Sequence, residues 1–305
     1  MRRARQTREV GEGQWRALWR RFRKNRTGMT GLILVVLVSL IAIFAPLLAP
    51  YEPDDISAFL EGRAYDAPSW RNYFGTDKFG YDVFSRVLYG ARTALLVGLG
   101  AMAIAALLGI VIGGVSGYAR GEIDELLMRF TDGFLVIPVF IIILVMVRIF
   151  GIVAVGSFLE QIPHLKLMII IGILGCFSWP PIARVARAEF LKIKETDFVE
   201  AAKCLGASER RIIFYHILPN SLPSLIVVIA LGIGSAILSE AMISFLGFGD
   251  PSLISWGQML TFAAPDMKIA PWAAIAPGLG IFITVLGFNL LADGLSDAAN
   301  PRLKE

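Results

Sequence analysis

Four stretches without Asp, Glu, Lys or Arg set the terms for this chain: residues 27–51, 93–119, 212–239 and 269–292. Each exceeds the roughly 20 residues that an α-helix needs to cross a hydrocarbon core. Two shorter uncharged runs, 133–147 and 167–183, reach across when extended through flanking helical turns. The expectation is an all-α integral membrane protein with six transmembrane helices. Composition agrees: the 305 residues are 56% hydrophobic and the mean hydropathy is +0.66, too apolar for an ordinary soluble domain.

Lys and Arg orient the spans. With the N-terminus in the cytosol, 21 of the 29 basic residues fall on the cytosolic side, ten of them in residues 1–26 and seven in 184–215. The outer pieces hold the remaining eight, five of them in residues 50–92. This asymmetry predicts an N-in, C-in topology. The first apolar run is too long for a cleaved signal peptide, and Pro46 and Pro50 do not resemble a small-residue cleavage site. The chain divides into a basic cytosolic arm (1–28) and a transmembrane domain (29–305), with an outer segment at about 50–92 and a cytosolic loop at about 188–215.

In the arm, Trp15, Leu18, Trp19 and Phe22 share a helical face ringed by Arg16, Arg20, Arg21, Arg23 and Lys24. That pattern suits an interfacial helix on anionic lipid; a disordered basic tail that only fixes topology is the alternative. Membrane orientation already accounts for the charge, so no nucleic-acid partner is expected. Cys176 and Cys204 fall in a span and in the cytosolic loop, which implies no disulfide, and two Cys with two scattered His make no metal site. No G-x-x-x-x-G-K-[ST] phosphate loop occurs, and no Ser/His/Asp or Cys/His arrangement suggests nucleophilic catalysis.

The cytosolic loop is the most informative segment. Asp197-x-x-Glu200 reads as a capping box, with Asp197 on the first amides and Glu200 reaching back. Phe198, Ala201, Ala202 and Leu205 then recur on one helical face. Gly206 follows where a helix stops, because Gly takes a left-handed backbone cheaply. Ser208 is placed to cap a second helix that enters the membrane. A polar helix–turn–helix between two spans is built to touch something outside the bilayer.

Glu200-Ala201-Ala202-Lys203-Cys204-Leu205-Gly206, followed by Ile217-Leu218-Pro219, resembles the "EAA…G…LP" loop of ABC importer permeases. His216 stands where that family usually has Ile, a departure that bears on local helix packing. Residues 74–98, FGTDKFGYDVFSRVLYGARTALLVG, resemble the C-type permease subunits of dipeptide and oligopeptide importers, with Tyr81 where that family often has Arg. Residues 244–249, 255–260, Pro271-Trp272, 289–295 and Asn300-Pro301-Arg302 continue the likeness.

The resemblance implies a five-helix permease core plus an N-terminal span, in the inner or cytoplasmic membrane. It implies a second homologous permease, two ABC ATPase subunits that hold ATP and Mg, and an external solute-binding protein. No cofactor is expected in this chain. ATPase coupling would fall on Phe198, Glu200, Ala201, Ala202, Lys203, Leu205, Gly206 and Ala207. Binding-protein docking would fall on Gly75, Asp77, Asp82 and Arg86, with Asp82 and Arg86 forming an exposed i,i+4 pair on a helix that lies along the outer membrane surface. Glu240, near the outer end of its span, is either a pathway residue or an interfacial carboxylate. The implied function is ATP-driven import of di- or oligopeptides by alternating access. Oligosaccharides and nickel are alternative cargoes within the same machinery. A stand-alone secondary carrier is the rival from another class, although no acidic coupling group stands out at the midplane; an intramembrane enzyme is a weaker rival.

Overall fold

The computed structural model describes residues 14–154 and 163–299. Residues 1–13 of the basic arm and the Asn300-Pro301-Arg302 motif lie outside that range. Among the described residues the chain is helical, with no strand beyond an isolated Thr76–Asp82 bridge.

The α-helices of eight or more residues are α1 (Gln14–Phe22), α2 (Arg26–Leu48), α3 (Val83–Ala119), α4 (Glu122–Val136), α5 (Val139–Ala154), α6 (Leu165–Phe177), α7 (Pro180–Lys194), α8 (Asp197–Cys204), α9 (Leu218–Phe245), α10 (Trp256–Ala263) and α11 (Pro271–Ala299). Five units are long and apolar enough to cross a membrane: α2, α3, α6 with α7, Glu209–Phe245, and α11. Taken together, α4 and Val139–Phe150 of α5 pass the same test, with a bend of 76° at the break between them.

The expected third span is therefore not one straight helix. Pro138 has no N–H to continue the hydrogen-bond ladder and restricts Ile137 to extended backbone. The helix ends on Val136, and Ile137 donates back only to Phe134. In the fourth span the Pro180-Pro181 pair interrupts the helix: α6 stops at Phe177, and the prolines open α7, where their missing N–H groups are not needed.

The bundle packs around α3, whose Val97, Ala101 and Ala105 are fully buried against Ile170, Ile237 and their neighbours. Between apolar helices in lipid the driving force is close packing rather than water release, so small residues mark the tightest crossings. A Cβ on Gly31 would strike the backbone of Leu290 and Leu291, seating α2 on α11. A Cβ on Gly113 would strike the carbonyl of Ala183, pressing α3 onto α7. In α1, Trp15 and Trp19 are exposed while Phe22 is buried. Phe22 packs under Gly28 and Gly294, so the aromatic stripe anchors the arm at one end only.

Candidate functional site

The loop between α7 and the next span is held by its own small core, made of Phe190, Ile193, Val199, Ile212 and Ile217. Val199 is the one residue of α8 that is buried. The predicted capping box does not form. Thr196, not Asp197, is the N-cap, and its backbone carbonyl accepts from Val199 and Glu200. Its hydroxyl is turned back to the Ile193 carbonyl, 2.6 Å away, so no side chain caps the helix. Asp197 and Glu200 instead sit exposed in the first turn, where negative charge favours the helix dipole.

The end of α8 follows from Gly206. Ala207 donates to the Ala202 carbonyl and Gly206 to the Lys203 carbonyl, both characteristic of a Schellman motif. This requires Gly206 at φ +78°, a conformation that costs an L-residue roughly 1–2 kcal/mol. The chain turns there, Ser208 takes the N-cap position without a side-chain bond, and Glu209 starts the next span.

With Val199 turned inward, the expected apolar face points out. Phe198 is 46% exposed and Leu205 88% exposed. Ala201, Lys203 and Gly206 are exposed beside them, and Ala202 and Ala207 are half-buried. The departure at His216 coincides with a π-helical segment, Ile212–Ile217. Leu218 donates to Ile213 at this wider pitch, and Pro219 follows without a donor of its own. Phe214 and Tyr215 are thereby placed on the surface, 62% and 76% exposed. The His216 ring lies 6.5 Å from that of Phe198.

At the opposite end, residues 63–82 fold into a hydrogen-bonded knot over the start of α3. Thr76 is central: its hydroxyl donates to the Arg63 carbonyl and accepts from the Asp66 amide, and its carbonyl accepts from the Trp272 indole at 3.0 Å. Gly75, at φ +70°, lies so close to Trp272 and the Asp66 carbonyl that no side chain fits. Asp82 is the N-cap of α3, accepting from the Ser85 amide at 2.8 Å and from Asn72 Nδ2 at 2.9 Å.

The exposed Asp82–Arg86 pair is contradicted. Asp82 is 6% exposed and Arg86 7% exposed, and no ion pair joins them. Asp82 spends both oxygens on the cap and on Asn72. Arg86 lies over the Tyr81 ring, and its Nε is buried without a hydrogen-bond partner. Nor is there a separate surface helix: Val83 opens the 37-residue α3. Phe84, Val87, Leu88 and Ala91 line an apolar cavity of about 400 Å³ bounded by α2 and α11. Asp77 is half-buried in the turn and accepts from the Phe79 and Tyr81 amides. Burial pushes its carboxyl above the ordinary value of 3.8, opposed by Arg86 and by those two amides.

Glu240 does not sit at a wet boundary. It is 3% exposed inside α9, accepting from Ser244 Oγ at 2.6 Å with Ser255 as its second polar neighbour. It lies under α10, whose Ser255 caps the helix and whose Gly257 presses on Ala241. Sequence reasoning missed the ion pairs between α4 and α7. Arg187 Nε and Nη2 donate to the two oxygens of Asp124 at 2.5 and 2.7 Å. The spacing of Asp124 and Asp132 beside Arg184 and Arg187 was the available signal, but nothing in one sequence says which helices pair.

These features define a multi-pass helical membrane protein that carries an exposed short helix between two of its spans. The chain belongs to the family of binding-protein-dependent transport system inner membrane components, whose profile matches residues 105–305; residues 13–68 match the N-terminal transmembrane domain of oligopeptide transport permease C. It is similar to the glutathione transport system permease protein GsiD of Pectobacterium atrosepticum, 36% identical over 291 residues that cover 95% of this chain and 92% of the relative. GsiD of Escherichia coli is 39% identical over 291 residues, covering 95% and 91%. GsiD of Shigella boydii gives the same figures. The chain is thus an inner-membrane permease subunit of an ABC importer.

Proposed function

We propose that this permease imports peptides of two or a few residues as one half of a permease pair, with its N- and C-termini in the cytosol. Two ABC ATPase chains holding ATP and Mg would dock on α8, and a solute-binding protein would deliver cargo at the outer knot. The observation that carries the reading is α8 itself. Val199 is its one buried side chain, while Phe198 and Leu205 are exposed, an arrangement that burial in a partner's groove would offset. ATP-driven closure of the ATPase pair would shift α8 and the spans joined to it, turning the pathway outward.

The peptide assignment is supported by the oligopeptide-permease match to residues 13–68 and by the glutathione naming of the relatives. The test is reconstitution of the full importer in proteoliposomes and uptake of labelled dipeptides, tripeptides including glutathione, oligosaccharides and nickel. ATP-dependent uptake of short peptides, with two ATPase chains co-purifying, is expected. Uptake of sugar or nickel alone would move the cargo assignment within the same machinery. Uptake by the solitary chain without ATPase would replace the reading with a secondary carrier.

A further inference from the structure

The geometry points to Asp124 and Arg187 as positioning residues that clamp α4 to α7, so that a displacement of α8 is delivered to the bend at Ile137–Pro138. The inference rests on the proposed role of α8 and concerns how its movement is passed on.

The attachments of α4 to the bundle are few. Thr131 is its one buried residue, and Ile123, Leu126, Phe130 and Val136 are exposed. Its apolar anchorage lies at the end near the bend, where Phe130 and Phe134 pack on Trp179. The opposite end is fixed by polar groups. Asp124, its side chain only 14% exposed, takes both donors of Arg187 and also accepts from Ser116 Oγ of α3. Bidentate pairing sets orientation as well as distance. A second rung, Arg184 to Asp132 at 2.6 Å, is exposed and adds register rather than energy. At the far end, Phe134 packs on Phe177 and Trp179, at the break between α6 and α7.

The chain path makes the clamp matter. Arg187 lies on α7, which runs directly through Glu195 and Thr196 into α8. Arg120, at the α3–α4 junction, pairs with Glu195 at that same corner. α4, α7 and α8 thus form one arm. Beyond it, α4 ends at the 76° bend, where Pro138 leaves the backbone ladder interrupted. An arm rigid up to an interrupted ladder concentrates its displacement at the interruption. Without the Asp124 clamp, α7 would move with α8 while α4 stayed behind.

The experiment uses the complete importer in proteoliposomes. Arg187→Glu, which sets two carboxylates against each other, is expected to lower ATP-dependent uptake about tenfold. ATPase co-purification should be unchanged, since α8 is untouched. Asp124→Lys added to Arg187→Glu should recover most of the uptake. A second measurement needs no disrupted pair: spin labels at Leu126→Cys and Lys192→Cys, in a Cys176→Ser and Cys204→Ser background. Their separation should be the same in nucleotide-free and ATP-trapped importer. A separation that changes between the two states overturns the clamp, as does wild-type uptake by Arg187→Glu. Lost ATPase co-purification in an otherwise wild-type importer would instead count against the role of α8.

Discussion

The Arg86 guanidinium lies 4.2 Å from the centre of the Tyr81 ring, inside the outer knot rather than on its surface. Stacking of this kind reaches about 2 kcal/mol when the cation is desolvated, and here it accompanies a guanidinium whose Nε has no hydrogen bond. Tyr81→Phe should leave the melting temperature of the purified importer nearly unchanged. Tyr81→Leu should lower it by a few degrees, and Arg86→Glu should reduce expression outright. A normal melting temperature for Tyr81→Leu would show that the ring does not hold the cation.

Asp77 gives the outer knot a pH dependence. Its folded carboxyl titrates above 3.8, chiefly because burial penalises the charged form. The folded state therefore holds the proton more tightly than the unfolded chain. The stabilisation from this group is complete below 3.8 and is lost as pH rises through the higher folded value. Hydrogen exchange at the Phe79 and Tyr81 amides, corrected for intrinsic rates, should show protection that falls as pH rises across this window. Asp77→Asn should flatten that trend. Protection that rises with pH would reverse the assignment.

Gly206 separates backbone strain from steric exclusion. A Cβ there would meet nothing within 4 Å, so substitution costs only the left-handed conformation. Asn tolerates that region better than a β-branched residue. Uptake should therefore fall in the order Gly206, Asn, Ala, Val, the last retaining the least ATPase. Equal uptake by all four would mean that the turn does not set the position of α8.

The spans were legible because hydrocarbon imposes a length and a polarity that a single sequence displays. The breaks at Pro138 and Pro180 differ instructively. Both prolines are visible, yet only packing decides that one gives a 76° bend and the other a span still counted as continuous. The end of α8 was legible because one residue, Gly206, answers a local backbone demand. Its beginning was not: Thr196 and Asp197 are both good caps, and the Thr196 hydroxyl turned to Ile193 instead. The Asp82–Arg86 pair failed for a tertiary reason. Asn72 and Tyr81, from the preceding knot, take the two partners separately.

Glu240 distinguishes burial from transport. Glu240→Gln can keep a bond to Ser244 and should leave both melting temperature and uptake near wild type. Glu240→Ala leaves the buried Ser244 hydroxyl without its carboxylate partner and should lower stability by about 1–3 kcal/mol. Altered cargo selectivity in Glu240→Gln at unchanged stability would return this carboxylate to the pathway.

Protection of one engineered cysteine tests whether the ATPase chains sit on α8. Leu205→Cys, in a Cys176→Ser and Cys204→Ser background, is treated with a membrane-impermeant maleimide on inside-out vesicles. With the permeases alone, labelling should be rapid, as the 88% exposure of Leu205 requires. With the ATPase chains assembled, labelling should be strongly suppressed. Equal labelling with and without the ATPases, in an importer that transports, would mean that the ATPase chains do not sit on α8.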